Sequence, residues 1–318
     1  MFTAFLTTLE QMIRIFLFLL MGYGLNRLHI LPKEAHAGIS KLVTTILLPA
    51  MLLYTNMTEF QLSNIGNYSK VVLLGAILWL GLTGIAFPIA KKLANGNRND
   101  NNVLLYGLTI PNTGAVGTPL ALALWGNPGL FQFNLLLFFC GIMTYSWGIN
   151  LFLEMKRNNP FKRFLISMIN PVFLSMIAGF ALGALGAPKW MPPLVSNFIG
   201  DLGGCYVPLS LLVTGYSIAD YPMAEVFRQP KGYVYTLLRL IVFPILVLAV
   251  LKLIGASQFI ATLAVISFAC PSGMNVVVFP AAYGQDCRTG TSIVLLSSLG
   301  SILTVPLFYA IVQRLFLP

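Results

Sequence analysis

Acidic residues are scarce in this chain. It has nine Asp and Glu among 318 residues, and only two His. Charged residues make up 9% in all, against about 25% in soluble domains. There is no Gly-Lys dipeptide, and so no phosphate loop of the GxxxxGK[ST] kind. HExxH, GxSxG and CxxC are also absent, which removes the common zinc, serine-hydrolase and thiol-redox signatures. The four cysteines, Cys140, Cys205, Cys270 and Cys287, carry no disulfide framework, and the first three sit in apolar runs as small packing residues. No enzyme, cofactor or metal is expected.

What fills the chain instead is apolar: 57% of residues, with 23 Phe and 12 Tyr. A soluble core of this size cannot absorb that much apolar surface, whereas lipid can. Ten runs are long enough to span: 9–26, 37–55, 70–90, 103–125, 130–153, 164–185, 194–218, 232–252, 257–283 and 290–315. Breakers and charge separate them, as at Leu31-Pro32-Lys33, Asn95 to Asn102, Gly126-Asn127-Pro128 and Pro188 with Pro192 and Pro193. The first run lacks a basic flank before it and reads as a retained span.

The net charge of +10 belongs to topology rather than to nucleic acid, because no basic stripe exists. With alternating spans, 13 Lys and Arg fall on one side and four on the other, while Arg14 and Arg239 fall inside spans. The basic side should be cytosolic, which puts both termini outside a cell membrane.

The halves echo one another. Leu48-Pro49-Ala50 in the second run answers Val207-Pro208-Leu209 in the seventh, 159 residues on. Pro111-Asn112-Thr113-Gly114 in the fourth answers Pro271-Ser272-Gly273-Met274 in the ninth, at 160. Gly24 and Gly183 again differ by 159. Five spans per unit reverse direction, so residues 1–153 and 160–318 read as inverted repeats of one all-α membrane fold.

Runs four and nine are poor helices. Pro111, Gly114, Gly117 and Pro119 interrupt one, with an expected stop near Ile110 and restart near Pro119. Pro271, Gly273 and Pro280 interrupt the other. Broken helices at matched positions point to a midplane site, where half-helix N-termini favour an anion. Pro111, Asn112, Thr113, Gly114, Pro271, Ser272, Gly273 and Asn275 are therefore the expected binding residues. Asp201 and Arg239, charged groups inside spans, are coupling or gating candidates, with a structural hydrogen bond the equal alternative for Asp201. Snorkelling to the interface is the plainer reading for Arg14 and Arg239. His29 and His36 are expected in a solvated loop. Gly179-x-x-x-Gly183 and Gly200-x-x-x-Gly204 allow close helix approach.

At these residues the chain resembles the auxin efflux carrier family, in its bacterial branch. The resemblance spans essentially the whole length. It rests on Leu48-Pro49-Ala50, Asn112-Thr113-Gly114 through Gly117-Thr118-Pro119, Asn170-Pro171, Pro208 to Gly215, Pro244, Pro271-Ser272-Gly273 and Tyr283-Gly284. It implies ten spans, external termini, and a transport unit whose broken helices cross at the substrate, in a fold similar to that of bile-acid sodium symporters. It implies that Asn112 faces a substrate carboxylate and that Pro111 and Pro271 are the crossover prolines. Ser272 and Gly273 depart from the plant carriers, and the stretch from Glu154 to Pro160 replaces their long loop. A uniporter or proton-coupled carrier for a small carboxylate is the leading expectation. A sodium-coupled symporter, an auxin-like substrate carrier and a non-transporting anion receptor are the alternatives. The expected partners are the anion, the lipid bilayer and, as an open option, a second copy of the chain.

Overall fold

A computed structural model describes residues 2–152, 169–220, 226–282 and 284–316. The Glu154–Pro160 loop, the basic residues Lys156, Arg157, Lys162 and Arg163, the start of the sixth apolar run and Tyr283 lie outside the described residues.

The regular structure is helical. In chain order the helices are α1 (Phe2–Arg27), α2 (Lys33–Glu59), α3 (Leu62–Ala94), α4 (Arg98–Thr109), α5 (Thr113–Leu136) and α6 (Phe138–Phe152), followed by α7 (Pro171–Ala184), α8 (Pro193–Ile218), α9 (Pro230–Leu253), α10 (Gln258–Ala269), α11 (Asn275–Ala282) and α12 (Arg288–Leu315). Six of them, α1, α2, α3, α8, α9 and α12, are long and apolar enough to cross a membrane. The pair α5 and α6, bent by 58°, adds a seventh if taken as one span. Helices α7 and α10 are apolar but shorter.

The fourth and ninth runs are divided at Pro111 and Pro271, whereas Pro119 and Pro280 lie within α5 and α11. Helix α4 ends at Thr109, and α5 restarts at Thr113, earlier than the Pro119 that marks the expected restart. The gap is bridged because Thr113–Gly117 forms a wide π-turn. Helix α10 ends at Ala269 and α11 starts at Asn275. Gly126 leaves helical geometry at φ 64°, so α5 turns at the expected Gly126-Asn127-Pro128 boundary. Helix α8 is interrupted at Cys205, where the sequence suggests one continuous helix. The cause is Pro208, which has no N–H for the Gly204 carbonyl.

Among the described residues, three of the four π-turns end two residues before a proline. They are Val43–Leu47 before Pro49, Thr113–Gly117 before Pro119, and Leu238–Val242 before Pro244. A proline ring clashes with the carbonyl four residues earlier. Widening the preceding turn relieves that clash and rotates the side chains before it.

Glycine sets the closest helix contacts. A Cβ at Gly22 would lie 2.1 Å from the Leu212 carbonyl oxygen, and one at Gly215 would lie 2.0 Å from that of Leu19. These two positions seat α1 on α8. Gly179 and Gly183 press α7 against Asn56 of α2, so this GxxxG pair works within the chain. In the other pair Gly204 meets nothing within 4 Å, and Gly203 packs on Met51 instead. Cys140 and Cys270 are buried, Cys205 is exposed, and all four thiols are free.

Candidate functional site

The two breaks meet. The Asn112 N–H donates to the Pro271 carbonyl at 2.8 Å, and Pro111 and Ser272 pair in one antiparallel bridge. The Ser272 N–H donates to Ser297 Oγ of α12 at 3.1 Å. The crossing is thus a two-residue scrap of sheet, which satisfies backbone groups that neither half-helix can satisfy itself.

A cavity of about 380 Å³ lies against this crossing. Of the expected binding residues, Pro111, Asn112, Thr113, Gly114, Gly273 and Asn275 line it. Pro271 and Ser272 are buried behind it and hold the crossing together. The starts of α5 and α11 both face the cavity, through Thr113 to Ala115 and Gly273 to Asn275. The backbone N–H groups of Gly273 and Met274 have no backbone acceptor among the described residues.

The orientation of Asn112 follows from its neighbours. Its Oδ1 accepts from the Ala115 N–H at 3.2 Å, capping α5. With the oxygen committed, the amide NH₂ is the end left for a ligand, and it is purely a donor. Asn275 is oriented the opposite way: its Nδ2 donates to Tyr106 Oη at 3.0 Å.

The rest of the lining was missed from sequence. Tyr106, Asn134, Asn170, Tyr206, Ser210 and Thr214 are polar groups that line the cavity. Leu48, Leu52, Phe138, Phe173 and Met176 supply apolar walls. Asn134 Nδ2 is buried without a partner among the described residues. Asn170 caps α7 by accepting from the Phe173 N–H at 2.9 Å, with Pro171 in the first helical position. An Asn-Pro pair at a helix start is legible in sequence; that it faces the same cavity is not. Among the described residues, no charged side chain lines the cavity.

Asp201 is exposed on α8 and does not line the cavity. Arg239 also lies outside the lining, but it is fully buried and does not snorkel. It lies in the π-turn before Pro244. There Nε donates to the Cys270 carbonyl at 3.0 Å, and Nη1 to the Leu108 carbonyl at 2.7 Å. One turn earlier, Tyr235 donates to the Gly107 carbonyl at 2.7 Å. Helix α9 therefore ties off the last carbonyls of α4 and α10. Arg14 behaves as expected, exposed and paired with Glu10 at 2.6 Å. His36 departs from the solvated reading: it stacks on Tyr216 at 4.2 Å between ring centroids and lies 3.3 Å from the Val213 carbonyl.

The cavity occupies one side of the crossing. It is lined by α2 no further than Leu52, by the start of α7, and by α8 from Tyr206 to Thr214. This is the side where α2 begins, near Lys33 and Lys41. At the same end Asp100 accepts from Lys231 and from Thr289 Oγ1, joining the starts of α4, α9 and α12. In the loop before α12, hydrogen bonds from Arg288 hold the Asp286 carboxyl below the usual range.

Apolar spanning helices around a broken-helix crossing define a membrane transporter rather than an enzyme. The Membrane transport protein family matches residues 7–309. The chain belongs to that family, the auxin efflux carrier family. It is 22% identical to an uncharacterized transporter of Methanothermobacter thermautotrophicus, over 96% of this chain and 98% of that one. It is 23% identical to the uncharacterized transporter MJ1031 of Methanocaldococcus jannaschii, over 94% and 97%.

Proposed function

We propose that the chain is a secondary carrier that moves a small organic anion by alternating access, as a uniporter or with a proton. The observation that carries this reading is the pair of helix starts, of α5 and α11, meeting at one cavity that no charged side chain among the described residues lines. Helix N-termini offer N–H groups and partial positive charge to a carboxylate. Asn112 adds a donor. The apolar walls fit a hydrocarbon body, and the volume lies in the range of small-molecule sites.

In this reading α4 with the first part of α5 is one span, the rest of α5 with α6 the next, and α10 with α11 another. Ten spans then form two inverted repeats, with the cavity facing the cytosol. Thr3→Cys should be labelled from outside intact cells, and Arg98→Cys should not.

The test is counterflow of radiolabelled carboxylates in proteoliposomes, with and without sodium or a proton gradient. Sodium-independent exchange is expected. Sodium dependence would replace the reading with a symporter, and binding without exchange would make the protein a receptor.

A further inference from the structure

Four helix ends come together where two broken helices cross. Two are C-terminal, with about half a negative charge each, and two are N-terminal, with about half a positive charge each. Left alone, the four would nearly cancel, and the site would have little preference for an anion.

Arg239 breaks that balance. Its two bonded nitrogens donate to Leu108 and Cys270, carbonyls at the C-terminal ends of α4 and α10. Its Nη2 is buried with no partner among the described residues. The ion pairs among those residues are Glu10–Arg14, Asp100–Lys231 and Asp286–Arg288, and none is at the crossing. No Asp or Glu among the described residues lines the cavity. A guanidinium stays protonated in proteins.

We propose that Arg239 is the resident counter-charge of the anion site. It is a positioning residue that neutralises the two C-terminal ends and leaves the two N-terminal ends uncompensated toward the cavity. The crossing then carries a net charge near +1. This deepens the carrier reading and rests on it for the identity of the site, but its test needs no substrate. Because the charge lies behind backbone, it attracts an anion without chelating it, and release stays easy. It also sets the substrate class: a monoanion neutralises the site, whereas a dianion leaves one charge unpaired in a poorly hydrated place.

The reach is short enough. Gly273 is three residues from Cys270, so their Cα atoms are at most about 11 Å apart. At a separation of about 10 Å and an effective dielectric of about 20, one charge changes monoanion affinity roughly tenfold.

The experiment places a reporter thiol, Thr113→Cys, in a background with Cys205→Ser and Cys287→Ser. Reaction rates are measured on purified protein with sulfonatoethyl methanethiosulfonate, an anion, and trimethylammonioethyl methanethiosulfonate, a cation. Their ratio cancels the intrinsic reactivity of the thiol. With Arg239 present, the anion-to-cation ratio should exceed that of free cysteine. Arg239→Gln should lower it about tenfold, and Arg239→Lys should keep it. A ratio at or below the free-cysteine value in the Arg239 protein overturns the proposal, even if Arg239→Gln does not fold. So does an unchanged ratio in a folded Arg239→Gln. Absence of carboxylate exchange with the ratio intact would sink the carrier reading and leave this charge assignment standing.

Discussion

The Asn112 N–H and the Pro271 carbonyl are joined at 2.8 Å, so each broken helix is finished by the other. The bond fixes Asn112 where its side chain can cap α5 and its NH₂ can face the cavity. Gly273 stands beside it: a Cβ there would sit 3.6 Å from the Asn112 Cα, an ordinary contact. Gly273→Ala should therefore fold with wild-type stability. The added methyl would still crowd the backbone N–H groups at the start of α11. Binding on purified protein should weaken severalfold while the thermal midpoint holds.

A site with one uncompensated positive charge should distinguish acids by charge number. Isovalerate and isopropylmalonate share a hydrocarbon body and differ by one carboxylate. At pH 8 the monoanion should compete at least tenfold better than the dianion in a binding assay. Equal competition would remove the charge argument.

The helix breaks were legible because proline and glycine act locally. Pro111 and Pro271 each remove a backbone donor, and both fall in the two breaks. The partners of the breaks were not legible. Nothing in the Leu238-Arg239-Leu240 stretch says that its cation meets the carbonyls of Leu108 and Cys270, 131 and 31 residues away. Pro244 is a partial signal, since a wide turn precedes it as one precedes Pro49 and Pro119, but Pro88 and Pro306 sit in spans without one. The cavity lining was missed for a related reason. Tyr106, Asn134 and Tyr206 look like ordinary span residues until three separate helices converge. The role suggested for Asp201 came from its rarity as an acid within an apolar run, but rarity carries no information about which way a helix faces.

Asp201 is exposed on α8 and away from the cavity. Asp201→Asn should leave carboxylate affinity within about twofold of wild type, and the pH profile of exchange unchanged. A flattened profile with normal folding would assign proton coupling to this residue after all.

The α1–α8 contact depends on the absence of a side chain. Gly215→Val would place a Cβ 2.0 Å from the Leu19 carbonyl, which is backbone and cannot turn aside. Overpacking of this kind costs about 1–3 kcal/mol or more. The thermal midpoint in detergent should fall clearly. Gly204→Ala, with nothing within 4 Å, should not lower it.

The central claim is that Asn112 presents a donor to a carboxylate at the crossing. Asn112→Asp tests it most directly, because aspartate caps a helix as well as asparagine does. The substitution preserves the fold while exchanging a donor for a negative charge. Isovalerate counterflow would be measured in proteoliposomes containing either protein. Losing the charge-assisted bond alone costs about 1.5–3 kcal/mol, ten- to a hundredfold, and repulsion adds to that. A folded Asn112→Asp protein should retain less than about a hundredth of wild-type exchange. A folded Asn112→Asp protein that exchanges isovalerate at the wild-type rate would contradict the claim and place the anion elsewhere.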